Sequence, residues 1–185
     1  MSRPAVFLDR DGTINVEVGY LSTPDRLALL PGAAEGIARL NRTGFMVVVV
    51  TNQSGLARGF FDAATLEAIH ARLEEMLAEH HAHVDAFYYC PHHPDDGCAC
   101  RKPTPTMFQR AAAELGFDLG RSVLVGDTLT DIAPAAELGC RSVLVLTGYG
   151  REHAQRLGAV RPDHVAENLG AAVEWILSTM GDELA

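Results

Sequence analysis

The segment Ala5-Val-Phe-Leu-Asp9-Arg-Asp11-Gly12-Thr13 decides how the rest of the chain is read. Four apolar residues without a polar break fit a strand covered on both faces. Strands of that kind belong to parallel sheets wrapped by helices, and ligands gather beyond their carboxyl ends. Asp9 and Asp11 stand at that end. In extended backbone, side chains at i and i+2 share a face. Two carboxylates so close repel one another unless a proton or a metal lies between them. Gly12 allows a sharp turn and a close backbone approach. Two readings are open: an acidic turn that ends a strand, or a nucleophile with an acid–base partner and half of a hard-metal site.

Further apolar runs at 45–50, 84–89, 122–125 and 142–146, with a weaker one at His164–Ala166, read as strands. Helical stripes lie between them. Ala33, Ile37 and Leu40 form the first; Leu66, Ile69, Leu73, Met76 and Leu77 the second. Phe108, Ala111, Ala112 and Leu115 form a third, and Leu169, Val173, Ile176 and Leu177 a fourth. Asp62 is placed to cap the second helix and Thr104 or Thr106 the third, while Gly44, Gly116 and Gly139 follow helical patterns where left-handed termination is easy. The alternation predicts one α/β domain with a mostly parallel sheet over residues 1–185. Two long irregular stretches, 15–30 and 91–105, exceed ordinary connections and are expected to be functional.

Composition narrows the class. With 48% hydrophobic and 21% charged residues the chain is a folding sequence, not a disordered one. A net charge of −9 counts against nucleic-acid binding but leaves room for a small phosphorylated substrate held by local Arg and Lys. No apolar run approaches a membrane span, and the N-terminal residues lack the apolar core of a secretory signal, so a cytoplasmic protein without membrane contact is expected; a monomer is expected as well.

Four motifs recur at successive strand ends: Asp9-x-Asp11-Gly12-Thr13, Thr51-Asn52, Lys102 before the third helix, and Gly126-Asp127 with Asp131. In that order they resemble the haloacid-dehalogenase-like phosphohydrolases over nearly the whole chain. Taken singly, each motif also fits a plain turn, surface charge or helix cap. The resemblance implies a three-layer Rossmann-like fold without a large cap domain. It implies that Asp9 attacks phosphorus to give an aspartyl-phosphate and that Asp11 exchanges protons with the leaving group and with water. Thr51 and Lys102 would then hold the phosphoryl group. Asp9, the Asp11 carbonyl and Asp127 would bind Mg²⁺, with Asp131 orienting that shell.

Cys90-Pro-His92-His93-Pro-Asp-Asp-Gly-Cys98-Ala-Cys100 concentrates three of the four cysteines. Cys90, His92, Cys98 and Cys100 suit a tetrahedral structural Zn²⁺; His93 is an alternate ligand, and reduced metal-free thiols are the plainer reading. The loop runs straight into Arg101-Lys102, so a metal at about 90–100 would hold Lys102 in place. Cys140 has no local ligand pattern and reads as a small buried residue.

The loop narrows the resemblance to two groups, heptose 1,7-bisphosphate phosphatases and histidinol-phosphate phosphatases. The run Asn52-Gln53-Ser54-Gly-Leu-Ala-Arg58-Gly and the segment Glu17-Val-Gly-Tyr20 are similar to the former, while the five-residue gap before Cys98 resembles the latter. The resemblance implies a small phosphorylated sugar, a heptose bisphosphate, as substrate. It places Glu17, Tyr20, Asn52, Gln53, Ser54, Arg58 and Arg101 at the substrate. Arginines suit a second phosphate better than they suit the ammonium and imidazole of histidinol phosphate. A non-catalytic zinc-binding module remains the rival of a different class. It explains the cysteines but not the phosphate motifs.

Overall fold

The computed structural model describes residues 3–181. Six strands form one sheet: β1 (Ala5–Leu8), β2 (Met46–Asn52), β3 (Ala86–Cys90), β4 (Val123–Gly126), β5 (Arg141–Val145) and β6 (His164–Ala166). Their spatial order is β3-β2-β1-β4-β5-β6, and every adjacent pair is parallel. The chain leaves β1 toward β2 on one side and returns to β4 on the other. That reversal opens a crevice at the carboxyl end of β1.

Alternation along the strands sorts the core into two layers. Val6, Leu8, Val47, Val49, Val123 and Val125 face one side, where they meet α1 (Ala33–Arg42), α2 (Ala63–Ala78) and the C-terminal helix at Leu169–Met180. Ala5, Phe7, Val48, Val50 and Leu124 face the other and pack on Met107, Phe108 and Ala111 of α3 (Thr106–Leu115). Phe7 meets Phe108 edge-on at 5.1 Å between ring centres.

The predicted strands are all present, most of them with ends displaced by one or two residues. The strand expected from 84 begins at Ala86, because the Val84 amide donates to the Glu74 side chain and Asp85 Oδ2 accepts from the Val47 amide. Asp62 caps α2 by accepting from the Thr65 amide at 2.8 Å. Neither Thr104 nor Thr106 caps α3. Pro105 occupies the cap, Thr106 is the first helical residue, and the Thr104 hydroxyl donates to the Ala99 carbonyl instead.

Three short helices follow β4 and β5 without a stripe long enough to show in the sequence: α4 (Leu129–Ile132), α5 (Ala135–Leu138) and α6 (Gly150–Ala154). The C-terminal helix is α7. Stretch 15–30 is a folded flap, its arms tied by Val16 N–H to the Ala28 carbonyl and Leu30 N–H to the Ile14 carbonyl. Leu21 and Leu27 bury into the core and anchor it. There is no separate cap domain among the described residues, and no helix there is long and apolar enough to cross a membrane.

Candidate active site

The three central strands deliver the site. β1 lies in register with both neighbours, Leu8 opposite Val49 and Val125, and the Asp9 amide extends the ladder by donating to the Val125 carbonyl at 3.0 Å. The backbone at Asp9 is thereby fixed. Lys102 arrives from the connection between β3 and α3, 3% exposed. Its Nζ lies 2.8 Å from Asp9 Oδ1 and 2.8 Å from Asp131 Oδ1, and donates to the Val50 carbonyl. Burial alone would lower the Lys102 pKa, but Asp131 and Asp9 outweigh it and hold the ammonium above its usual range.

Asp9, Asp127 and Asp131 each place a carboxylate oxygen within 4.8 Å of the others. Burial, then the neighbouring carboxylates, push Asp127 up to about 8. Burial, opposed by Lys102 but aided by Asp131, takes Asp9 up to about 7. Asp127 Oδ2 accepts from the Tyr149 amide at 2.8 Å, while Oδ1 is buried with no partner. Asp131 has less to offer a cation, since Oδ2 accepts from the Thr128 amide and hydroxyl and Oδ1 from Lys102. Hard oxygens with an orphaned buried acceptor among them fit a divalent cation such as Mg²⁺.

Two glycines let this cluster close. A Cβ on Gly12 would stand 2.2 Å from Asp127 Oδ2, and the residue's φ of +85° disfavours any side chain. A Cβ on Gly148 would stand 2.1 Å from the same oxygen. Gly12 is legible in the sequence as part of its motif. Gly148 is not, because it contributes only an absence.

Asp11 turns away from the cation cluster into a ring of donors. Arg10 Nη2 donates to Oδ2 at 2.8 Å, Asn15 Nδ2 to Oδ1 at 2.9 Å and Gln53 Nε2 to Oδ2 at 2.9 Å. Burial would raise this carboxyl, but Arg10 and the amide donors prevail and hold it below its usual range. Gln53 also donates to Thr51 Oγ1 at 3.0 Å, linking the acid–base candidate to the hydroxyl expected at the phosphoryl group. Arg10 and Asn15 were not anticipated as site residues. An arginine between two aspartates reads as turn charge until its complete burial is known.

Asn52 spends its side-chain amide on Lys102: Nδ2 donates to the Lys102 carbonyl at 3.2 Å, and Oδ1 accepts from the Lys102 amide at 3.1 Å. Just upstream, Cys90, His92, Cys98 and Cys100 bring four donor atoms within 4.8 Å of one another, all thiols free. Cys100 Sγ lies 2.9 Å from Cys90 Sγ, and His92 Nδ1 lies 3.2 Å from Cys100 Sγ. Burial pushes the Cys90 thiol up to about 12. At Cys98 burial is outweighed by hydrogen bonds from Cys90, the Arg101 amide and Cys100, which bring it down to about 7. Soft donors converging without a disulfide form a candidate metal site.

The cleft encloses about 240 Å³. Every residue expected at the catalytic, cation or substrate positions lines it except Arg58, whose guanidinium sits 5.7 Å over the Tyr20 ring. Tyr20 in turn meets Phe60 edge-on at 4.8 Å. Arg101 lines the cleft with Nη1 buried and unpartnered. Thr128, Thr130 and Tyr149 also line it and were missed, since they follow the acidic motifs on short elements without periodicity.

The HAD-hydrolase-like family model matches residues 99–172, which carry Lys102, Asp127 and Asp131. With the strand-end carboxylates of β1, this makes the site that of a haloacid-dehalogenase-like hydrolase. The chain is 46% identical to the D-glycero-beta-D-manno-heptose-1,7-bisphosphate 7-phosphatase of Bordetella bronchiseptica, over 93% of this chain and 97% of that protein. It is 48% identical to the enzyme of the same name from Pseudomonas aeruginosa, over 81% and 85%. The crystal structure of the B. bronchiseptica D,D-heptose 1,7-bisphosphate phosphatase, complexed with magnesium and phosphate, superposes with a TM-score of 0.90 at 45% identity, covering 95% of this chain and 99% of that one. The chain belongs to the heptose 1,7-bisphosphate 7-phosphatase family of haloacid-dehalogenase-like phosphatases.

Proposed function

We propose that the protein hydrolyses the C7 phosphate of D-glycero-D-manno-heptose 1,7-bisphosphate and leaves the C1 phosphate in place. Similarity to the heptose-bisphosphate phosphatases over nearly the full chain supports the substrate. The observation that carries the chemistry is Asp9, held by Lys102 at 2.8 Å on the floor of the cleft. The unpartnered Arg101 Nη1 favours a second anionic group on the substrate.

In this reading an Asp9 oxygen attacks phosphorus while the bond to the leaving oxygen breaks. The phosphoryl dianion beside Asp11 favours the protonated form of its carboxyl. Asp11 then gives its proton to the leaving oxygen, and the resulting carboxylate takes one from the water that hydrolyses the acyl phosphate. Thr51 Oγ and Lys102 Nζ donate to the transferring group. Asp9, Asp127 and the Asp11 carbonyl are the ligands for Mg²⁺, with Asp131 holding Lys102. Bound there, the cation neutralises phosphoryl charge and aligns it with Asp9. Glu17, Tyr20, Gln53, Ser54 and Arg101 form the substrate wall, and Arg58 acts on it through Tyr20. Cys90, His92, Cys98 and Cys100 take a structural Zn²⁺. All of this sits in a single domain, and reduced clustered thiols suit a reducing cytoplasm.

Asp9→Asn is the first test. Phosphate release from the bisphosphate in Mg²⁺ should fall by at least about 1,000-fold, with the circular dichroism spectrum kept. Normal turnover by this variant overturns the mechanism. Faster hydrolysis of histidinol phosphate than of either heptose anomer overturns the substrate alone.

A further inference from the structure

Arg10 is fully buried, yet a guanidinium is a permanent cation with donors only. Its Nη2 spans both oxygens of Asp11, at 2.8 and 3.1 Å, with Nε at 3.4 Å from Oδ1. The remaining arm, Nη1, lies 3.2 Å from Nε2 of His70 on α2. Because Arg10 cannot accept, Nε2 has to present its lone pair and the imidazole proton sits on Nδ1. The ring is itself held, stacked on Phe87 of β3 at 4.3 Å and 16°. Beyond the end of β1 the chain bends at Arg10, and the guanidinium is held between the next residue's carboxylate on one side and the His70 ring on the other.

We infer that His70 is a positioning residue for the acid–base step: through Arg10 it fixes the Asp11 carboxyl toward the leaving oxygen. This rests on the phosphatase reading above. In the step concerned, the Asp9–phosphorus bond forms, the bond from phosphorus to the leaving oxygen breaks, and the Asp11 proton moves to that oxygen. A sugar alkoxide is a poor leaving group and needs that proton. A p-nitrophenolate leaves without it. The value of kcat/KM reports steps up to the first irreversible one, so the two esters separate aim at the leaving group from general damage to the site.

His70→Leu keeps comparable volume and removes the acceptor, while His70→Gln can return one. For His70→Leu, kcat/KM on the C7 phosphate of the heptose bisphosphate should fall about 10- to 100-fold, less than the roughly 100- to 10,000-fold for complete loss of general acid catalysis, because Asp11 is misaimed and not removed. On p-nitrophenyl phosphate it should stay within about threefold. His70→Gln should recover most of the loss. An equal fall on both esters, no fall on the sugar ester, or failure of glutamine to rescue overturns the inference. If His70→Leu does not fold, His70→Phe, which keeps a ring against Phe87 but offers no lone pair to Arg10, must show the same dependence on leaving group or the inference fails. Wild-type protein that releases phosphate from neither ester overturns the proposed function and this inference with it.

Discussion

Lys102 is sealed between Asp9 and Asp131, and its removal leaves two buried carboxylates facing each other. Breaking such a group by deleting one partner costs about 3–5 kcal/mol. Lys102→Met should therefore shift the urea unfolding midpoint strongly downward as well as abolish turnover. Asn52 stands further from the chemistry. Its two hydrogen bonds to the Lys102 backbone, at about 1 kcal/mol each, predict a fall in kcat of up to about 30-fold for Asn52→Ala, with little change in KM, measured by steady-state phosphate release. A comparable rise in KM would instead mean that the amide touches substrate. At this scale the sequence discloses residues whose spacing is itself the signal: Asp9 and Asp11 two apart, Cys90 and His92 two apart. Arg10 and His70 stay hidden because they meet across 60 positions, and Asn15, four residues from Asp11, because no spacing discloses its burial.

Among the elements, the loop that carries the cysteines runs through Cys100-Arg101 directly into Lys102, the residue whose backbone Asn52 grips. Elemental analysis should find one zinc per chain in the wild type and none in Cys98→Ser/Cys100→Ser, with raised amide hydrogen exchange across 91–105 and a lower kcat in the variant, since metal binding and local order are coupled. Zinc retained at one per chain would rule out this ligand set. The long elements are legible because burial on one face imposes a period, as in α2 and α7, and burial on both faces imposes a run, as in β1, β2 and β4. α4, α5 and α6 have four or five residues each, too few to complete a period. They are set by what they must reach: the α4 capping box draws Asp131 back to Thr128, and Tyr149 at the start of α6 offers its amide to Asp127. The cap expected at Thr104 or Thr106 failed for a similar reason. The Thr104 hydroxyl is committed to the cysteine loop.

For the molecule as a whole, the carboxylate cluster ties stability to pH and cation together. Asp9 rises to about 7 and Asp127 to about 8 from 3.8 in the unfolded chain, so the folded state holds protons that the unfolded state has released. Without a cation this contribution is fully present below about pH 4 and is lost as pH climbs through about 7 to 8. Mg²⁺ should accordingly raise Tm more at about pH 8 than at about pH 5, and its binding near neutrality should release protons, measurable by calorimetry in buffers of different ionisation enthalpy. A Tm increment independent of pH would contradict this arrangement of carboxyls.

The pairing of β1 with both β2 and β4 has a consequence for how such a protein can change over generations. The spacing of Asp9, Thr51 and Asp127 is inherited from three adjoining strands, whereas Glu17 and Tyr20 belong to a flap pinned to the body by Leu21 and Leu27. Selection can rewrite the flap around those two leucines without disturbing the machinery that cleaves the ester. A chimaera carrying a relative's flap, with both leucines retained, should shift toward that relative's choice of sugar while keeping its demand for a second anionic group at Arg101 and its own rate on p-nitrophenyl phosphate.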